Sequence, residues 1–119
     1  MKAILFVVFA LIGWCPELQA ASSIAIHNGF LTGEQYRNEG ATDQIMYSIG
    51  LVDGMLVSPL FGAPDTGKAE KLGKCTEGMS GSQIVAILNK HLNDHPEEWN
   101  QPMHAIAFRT FRDVCKFND

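Results

Sequence analysis

The sequence contains no run of lysine or arginine, and its 9 basic residues are outnumbered by 13 acidic ones, giving a formal net charge of -4. This mildly acidic balance keeps the chain soluble and argues against nucleic acid as a partner, because binding a phosphate backbone takes a basic stripe. No apolar run is long enough to cross a bilayer. The longest stretch from the N-terminus, Ala3 to Gly13, has 11 residues, and a span needs about 18. A glycine-rich phosphate loop is missing. So is the paired-histidine helix motif of zinc proteases, since no glutamate stands beside His91. Cysteine is scarce, at 3 residues, yet composition is otherwise ordinary for a globular protein, with 46% hydrophobic and 18% charged residues. Low complexity, internal repeats and interdomain linkers are also absent.

What is present begins with a leader. Lys2 supplies a positive charge, the apolar run follows, Pro16 and Glu17 break it, and Leu18-Gln19-Ala20 ends on a small residue. This order is the grammar of a cleavable secretory signal. Residues 1–20 therefore read as a signal peptide cut near Ala20, and residues 21–119 as one small domain. A transmembrane helix is disfavoured by the shortness of the run. Lipidation at Cys15 is disfavoured by the bulky Trp14 before it. The remaining cysteines are Cys75 and Cys115. An even pair in an exported chain reads as a disulfide, the alternative being two separate buried thiols.

Three stretches carry helical periodicity. Thr42 is placed to cap the first helix, and Ile45, Ile49, Val52 and Leu56 recur as one apolar stripe before Pro59 stops it. Upstream, Thr32 to Tyr36 predicts a short helix ending near Gly40. The second long helix starts at Ser80-Gly81-Ser82-Gln83, a capping box in which the serine hydroxyl and glutamine side chain bond reciprocally to backbone amides. Ile84, Ile87, Leu88 and Leu92 share a face, and Pro96 ends the helix. The third starts at Pro102, and Met103, Ile106, Ala107, Thr110, Phe111 and Val114 form a broad core stripe. Strand signals are weak and confined to Ser22–His27. The expectation is an all-α fold: a small bundle of three main helices plus a short N-terminal helix, with one disulfide. Cys75 falls just before the second helix and Cys115 at the end of the third.

Chemistry-bearing residues are few. His91 and His95 have the i, i+4 spacing of a metal pair, but His95 lies where Pro96 ends the helix. Both suit the negative end of the helix dipole better than a metal. Ser80 and Ser82 read as caps rather than nucleophiles. Asp53, the lone carboxylate in an apolar helix, reads as a partner for a cation or amide. No catalytic site, metal site or cofactor is expected. Gly50 and Gly54 each cost a helix roughly 1 kcal/mol against alanine. Close approach of another helix, within the domain or across a dimer, accounts for them. The segment Ser58 to Gly67 holds two prolines with apolar bulk between them. Pro59, Leu60, Phe61, Pro64 and Asp65 either fold back on the core or form a preorganised contact loop. Trp99 is expected in the angle between the last two helices.

In order along the chain stand Gly29-Phe30-Leu31-Thr32-Gly33-Glu34-Gln35-Tyr36, Tyr47-Ser48-Ile49-Gly50-Leu51-Val52-Asp53-Gly54-Met55, Cys75, Gly78-Met79-Ser80, Gln83 to Ile87, Lys90-His91-Leu92, His95-Pro96-Glu97-Glu98-Trp99 and Cys115. Together these blocks resemble the Rap/Tai immunity-protein family. Its members are exported helical proteins of bacteria that neutralise peptidoglycan amidases delivered by type VI secretion. The resemblance implies periplasmic residence, a Cys75–Cys115 disulfide and inhibition by tight binding rather than catalysis. It also implies a homodimer with a protruding region that occupies the amidase groove. The expected partner is a cell-wall amidase effector, with neither nucleic acid nor membrane engaged once the signal is removed. Arg37 departs from the family pattern, in which an apolar residue is usual after the tyrosine. The alternative from another class is a small periplasmic helical chaperone or envelope-stress protein.

Overall fold

The computed structural model describes residues 26–62 and 66–117. The proposed signal peptide and its cut at Ala20 lie outside the described residues, as do most of the Ser22–His27 segment, Pro64 and Asp65. The fold is all-α, a small helical bundle with one disulfide. Its elements are α1 (Gly33–Asn38), α2 (Ala41–Leu56), a 3-10 turn at Ser58–Phe61, α3 (Gly67–Thr76), α4 (Gly81–Asp94), a second 3-10 turn at Pro96–Glu98, and α5 (Met103–Val114).

The capping box of α4 forms as its sequence predicts. Ser80 N donates to Gln83 Oε1 at 2.7 Å, and Gln83 N to Ser80 Oγ at 3.2 Å. Ile84, Leu88 and Leu92 are buried along one face. The start of α4 presses closely on α2, since a Cβ at Gly81 would lie 2.8 Å from Ile45 Cγ2 and 2.9 Å from Ile49 Cδ1. Only glycine lets the two helices meet there. A second capping box, Thr32 with Gln35, opens α1. It is readable as Thr-x-x-Gln and is the signal that sets this short helix.

Three expectations are corrected. The cap of α2 is Gly40, with no side-chain hydrogen bond, rather than Thr42. Pro102 is the cap of α5 rather than its first residue. There the Met103 amide donates to Leu31 O at 2.8 Å, and Gly33 N and Glu34 N reach Gln101 O and Trp99 O, so the N-terminal segment is stitched to the chain entering α5. The third correction is α3 itself. Its ten residues include three lysines, and its only buried side chain is Leu72. With one core contact it carries almost no apolar periodicity. Cys75 therefore sits in the last turn of a helix, not in a loop before one. The Cys75–Cys115 disulfide, with Cα atoms 5.6 Å apart, ties α3 to the end of α5.

The inward face of α2 also differs from its apolar stripe. Val52 is buried as expected, but Ile49 is 40% exposed, and the row that turns inward is Gln44, Ser48 and Val52. Hydrogen bonding explains the polar choice. Ser48 Oγ meets the buried Tyr36 hydroxyl at 2.8 Å. Gln44 Nε2 donates to Tyr36 O at 2.9 Å, and Asn89 Nδ2 to Gln44 Oε1 at 3.2 Å. A polar side chain costs little in a core when its partners are in place.

On α5, Met103, Ile106, Ala107, Thr110 and Phe111 are buried, whereas Val114, placed in the core stripe by sequence, is 47% exposed. The chain then turns at Lys116 (φ 55°) and returns Phe117 to the core. Trp99 packs against the core, its indole N–H donating to Leu92 O of α4 at 2.7 Å. The Arg37 guanidinium carbon stands 3.6 Å from the Trp99 ring centroid, a cation–π contact that gives this unusual arginine a structural role.

Candidate functional site

An exposed apolar pair is built where a helix stops. After Leu56, Pro59 occupies the first turn of the 3-10 element, where its missing N–H is not needed. Leu60 N donates to Val57 O at 2.9 Å and Gly62 N to Pro59 O at 3.1 Å. Gly62 closes the turn at φ 80°, a left-handed conformation that favours glycine. This tight hydrogen bonding turns Leu60 and Phe61 outward, 85% and 86% exposed. Of the two readings open to them, folding back on the core is the one they do not take. Pro59 beneath them is half-buried.

The outer face of α2 leads to this tip. Met46, Gly50, Asp53 and Val57 are exposed and lie opposite the buried Gln44–Ser48–Val52 row. A Cβ at Gly50 or Gly54 would meet nothing within 4 Å. The close approach of a helix from the same domain, expected from these glycines, therefore does not occur among the described residues. Beside this face a groove of about 340 Å³ runs between α2, the α3–α4 turn and the start of α4. Val52, Leu56, Met79 and Ile84 give it apolar walls, and Asp53 and Glu77 are its acidic members.

The histidines are used differently. His91 Nε2 donates to Glu98 Oε2 at 3.0 Å, and Arg109 donates to the same oxygen at 3.0 Å, so Glu98 joins α4, the second 3-10 turn and α5. Both His91 and Glu98 are largely covered, with side chains 14% and 18% exposed. His95 stacks on His91 with centroids 4.4 Å apart and bonds Glu97 through Nδ1. His91 and His95 thus each have a carboxylate partner of their own. Among the described residues, no group of three or more His, Cys, Asp or Glu could hold a metal ion. Ser80 acts as a cap, and Asp53 is exposed without a cation or amide partner among the described residues.

Burial pushes the Glu98 carboxyl up, but hydrogen bonds from His91 and Arg109, with the Arg109 charge, outweigh it and hold the group below the usual glutamate range. A lowered folded-state pKa gives stabilisation that is complete above the ordinary glutamate value of about 4.3. It is lost as pH falls through the lower folded-state value. Glu98→Gln is therefore expected to be less stable than the parent at pH 7, with the gap closing below about pH 4. Urea unfolding across pH measures it, and a gap independent of pH would count against the Glu98 linkage.

Compared with protein-family models, with curated proteins and with solved structures, the chain matches none.

Proposed function

We propose that this protein is a periplasmic immunity protein that binds a peptidoglycan amidase delivered by type VI secretion and blocks its active site. The observation that carries this reading is the exposed Leu60–Phe61 pair on a proline-stiffened, glycine-closed turn. Two large apolar side chains carried in solvent on a hydrogen-bonded turn are the anchors expected of a binding protein, because the backbone ordering cost is already met before contact. The resemblance from Gly29 to Cys115 supplies the kind of partner. The secretory leader supplies the compartment, where a disulfide persists. The function is steric: it needs no catalytic group of its own. A homodimer is part of the same reading.

The test uses the full chain, expressed with its own leader and purified from the periplasmic fraction, against a peptidoglycan amidase sought among the genes beside its own. Stoichiometric inhibition is expected. Leu60→Ser and Phe61→Ser should each weaken it by about 30-fold, the effect of losing a 2 kcal/mol anchor, with helicity unchanged. An amidase left fully active by excess protein would remove the proposal. Binding of a hydrophobic dye that rises on acidification, without inhibition, would favour the chaperone reading.

A further inference from the structure

We propose a second docking element, independent of the amidase reading: the groove between α2, the α3–α4 turn and α4 takes a segment of a partner protein in which an apolar residue is flanked by lysine or arginine. The apolar half of this recognition comes from Val52, Leu56, Met79 and Ile84, which line a depression of about 340 Å³, room for a large apolar side chain. The charged half comes from Asp53 and Glu77, which line the same depression and are both exposed. No lysine, arginine or histidine lines it with them.

The state of these two carboxylates separates them from much of the acidic surface. Glu70, Asp94, Glu98 and Asp113 are each held by a cation of this chain. The side-chain carboxylates of Asp53 and Glu77 have no ion pair or hydrogen bond among the described residues. They therefore leave negative potential over an apolar surface, which a cation on an incoming chain would neutralise. Backbone can come close here as well, because Gly50 and Gly54 on the adjoining turns of α2 leave open space where side chains would stand.

The charge also selects between occupants. A two-fold contact of this α2 face with its own copy is isologous, so it brings the same acidic patch, with Asp53 and Glu77, into the interface from both sides. Like charges brought together oppose that arrangement. A different protein presenting a basic-apolar segment satisfies both halves of the groove.

The experiment titrates the isotope-labelled full chain with four nine-residue peptides and follows backbone amides by NMR. One peptide alternates lysine and leucine. In the others, lysine is replaced by serine, lysine by glutamate, or leucine by serine. Saturable shifts at Ile49, Asp53, Thr76, Glu77 and Met79 are expected with the first peptide only. Binding should weaken by about tenfold in a D53N/E77Q chain whose helicity is unchanged. Equal binding of the serine-for-lysine peptide overturns the proposal, as do shifts that spread to Asp43, Asp94 and Glu97. Groove amides that move when the protein alone is diluted overturn it too, by assigning the surface to a second copy. Leu60→Ser should leave the peptide titration unaltered, which separates this groove from the exposed turn.

Discussion

Replacing Cys75 and Cys115 together by serine is expected to lower the unfolding free energy by about 4 kcal/mol, the chain-entropy cost of opening a loop of this size. The two cysteines are separated by 40 residues, a stretch that contains α4, the second 3-10 turn and α5. Against a total of about 5–15 kcal/mol for a typical domain, that is a large share. The damage should also be uneven. Helix α3 buries one side chain, Leu72, whereas α4 and α5 bury Ile84, Leu88, Leu92, Met103, Ile106 and Phe111. With the bridge gone, α3 has little apolar area to hold it against α2, and local opening becomes cheap. Hydrogen exchange should accelerate first and most at residues 67–76, then at the turn that returns Phe117, with α4 and α5 following only on global unfolding. Urea titration of the parent with and without reductant gives the free energy. A loss under about 1 kcal/mol, or exchange that rises equally in every helix, would show that packing and not the bridge secures α3.

The same contrast between elements explains what the sequence could and could not reveal. Helix α4 was legible from end to end because its capping box, apolar periodicity and terminating proline all agree, and agreement across levels identifies an element. Helix α3 was not. Lysines at 68, 71 and 74 surround a single core residue, and what holds the segment is a covalent link whose effect leaves no periodic trace. The all-α class and the Cys75–Cys115 pairing were readable, the first from periodicity and the second from an even pair of cysteines behind a secretory leader. The buried face of α2 was misread because its decisive residues are polar. Gln44 and Ser48 face inward to satisfy Tyr36 and Asn89, and hydropathy alone rotates the helix toward Ile45 and Ile49.

The candidate surface was half legible. Pro59, Leu60 and Phe61 stood out as stiff and apolar, but whether such residues point in or out depends on the turn that carries them. The bonds Leu60 N to Val57 O and Gly62 N to Pro59 O, with Gly62 left-handed, decide it. Gly50 and Gly54 announced an approach without saying from which side. Open space above both shows that no other part of the described domain makes it. The groove with Asp53 and Glu77 was invisible because its walls come from three elements, one of them the unexpected α3. For the same reason Glu98 gave no sign of joining His91 to Arg109, a contact between residues 11 apart that forms only when α5 folds back beside α4.

Tyr36→Ala is expected to cost about 3–5 kcal/mol, the range for removing a fully buried aromatic ring. Tyr36 has no exposed surface, and its ring packs 5.8 Å from that of Tyr47. It is also the main anchor of α1, whose 6 residues are too few to persist unaided. The phenolic hydroxyl adds a separable part. Tyr36→Phe keeps the ring but leaves the buried Ser48 hydroxyl without its partner, at a cost of about 1–3 kcal/mol. Ser48→Ala leaves the Tyr36 hydroxyl in the same position. The chain carrying both Tyr36→Phe and Ser48→Ala has neither orphan, so its loss should be smaller than the two single losses added together. Such a result would identify the cost as unmet hydrogen bonding rather than altered packing. Thermal or urea unfolding of the four chains closes the cycle. Strict additivity would mean that the 2.8 Å contact between Tyr36 and Ser48 contributes nothing of its own, and the polar row of α2 would then lack its physical cause.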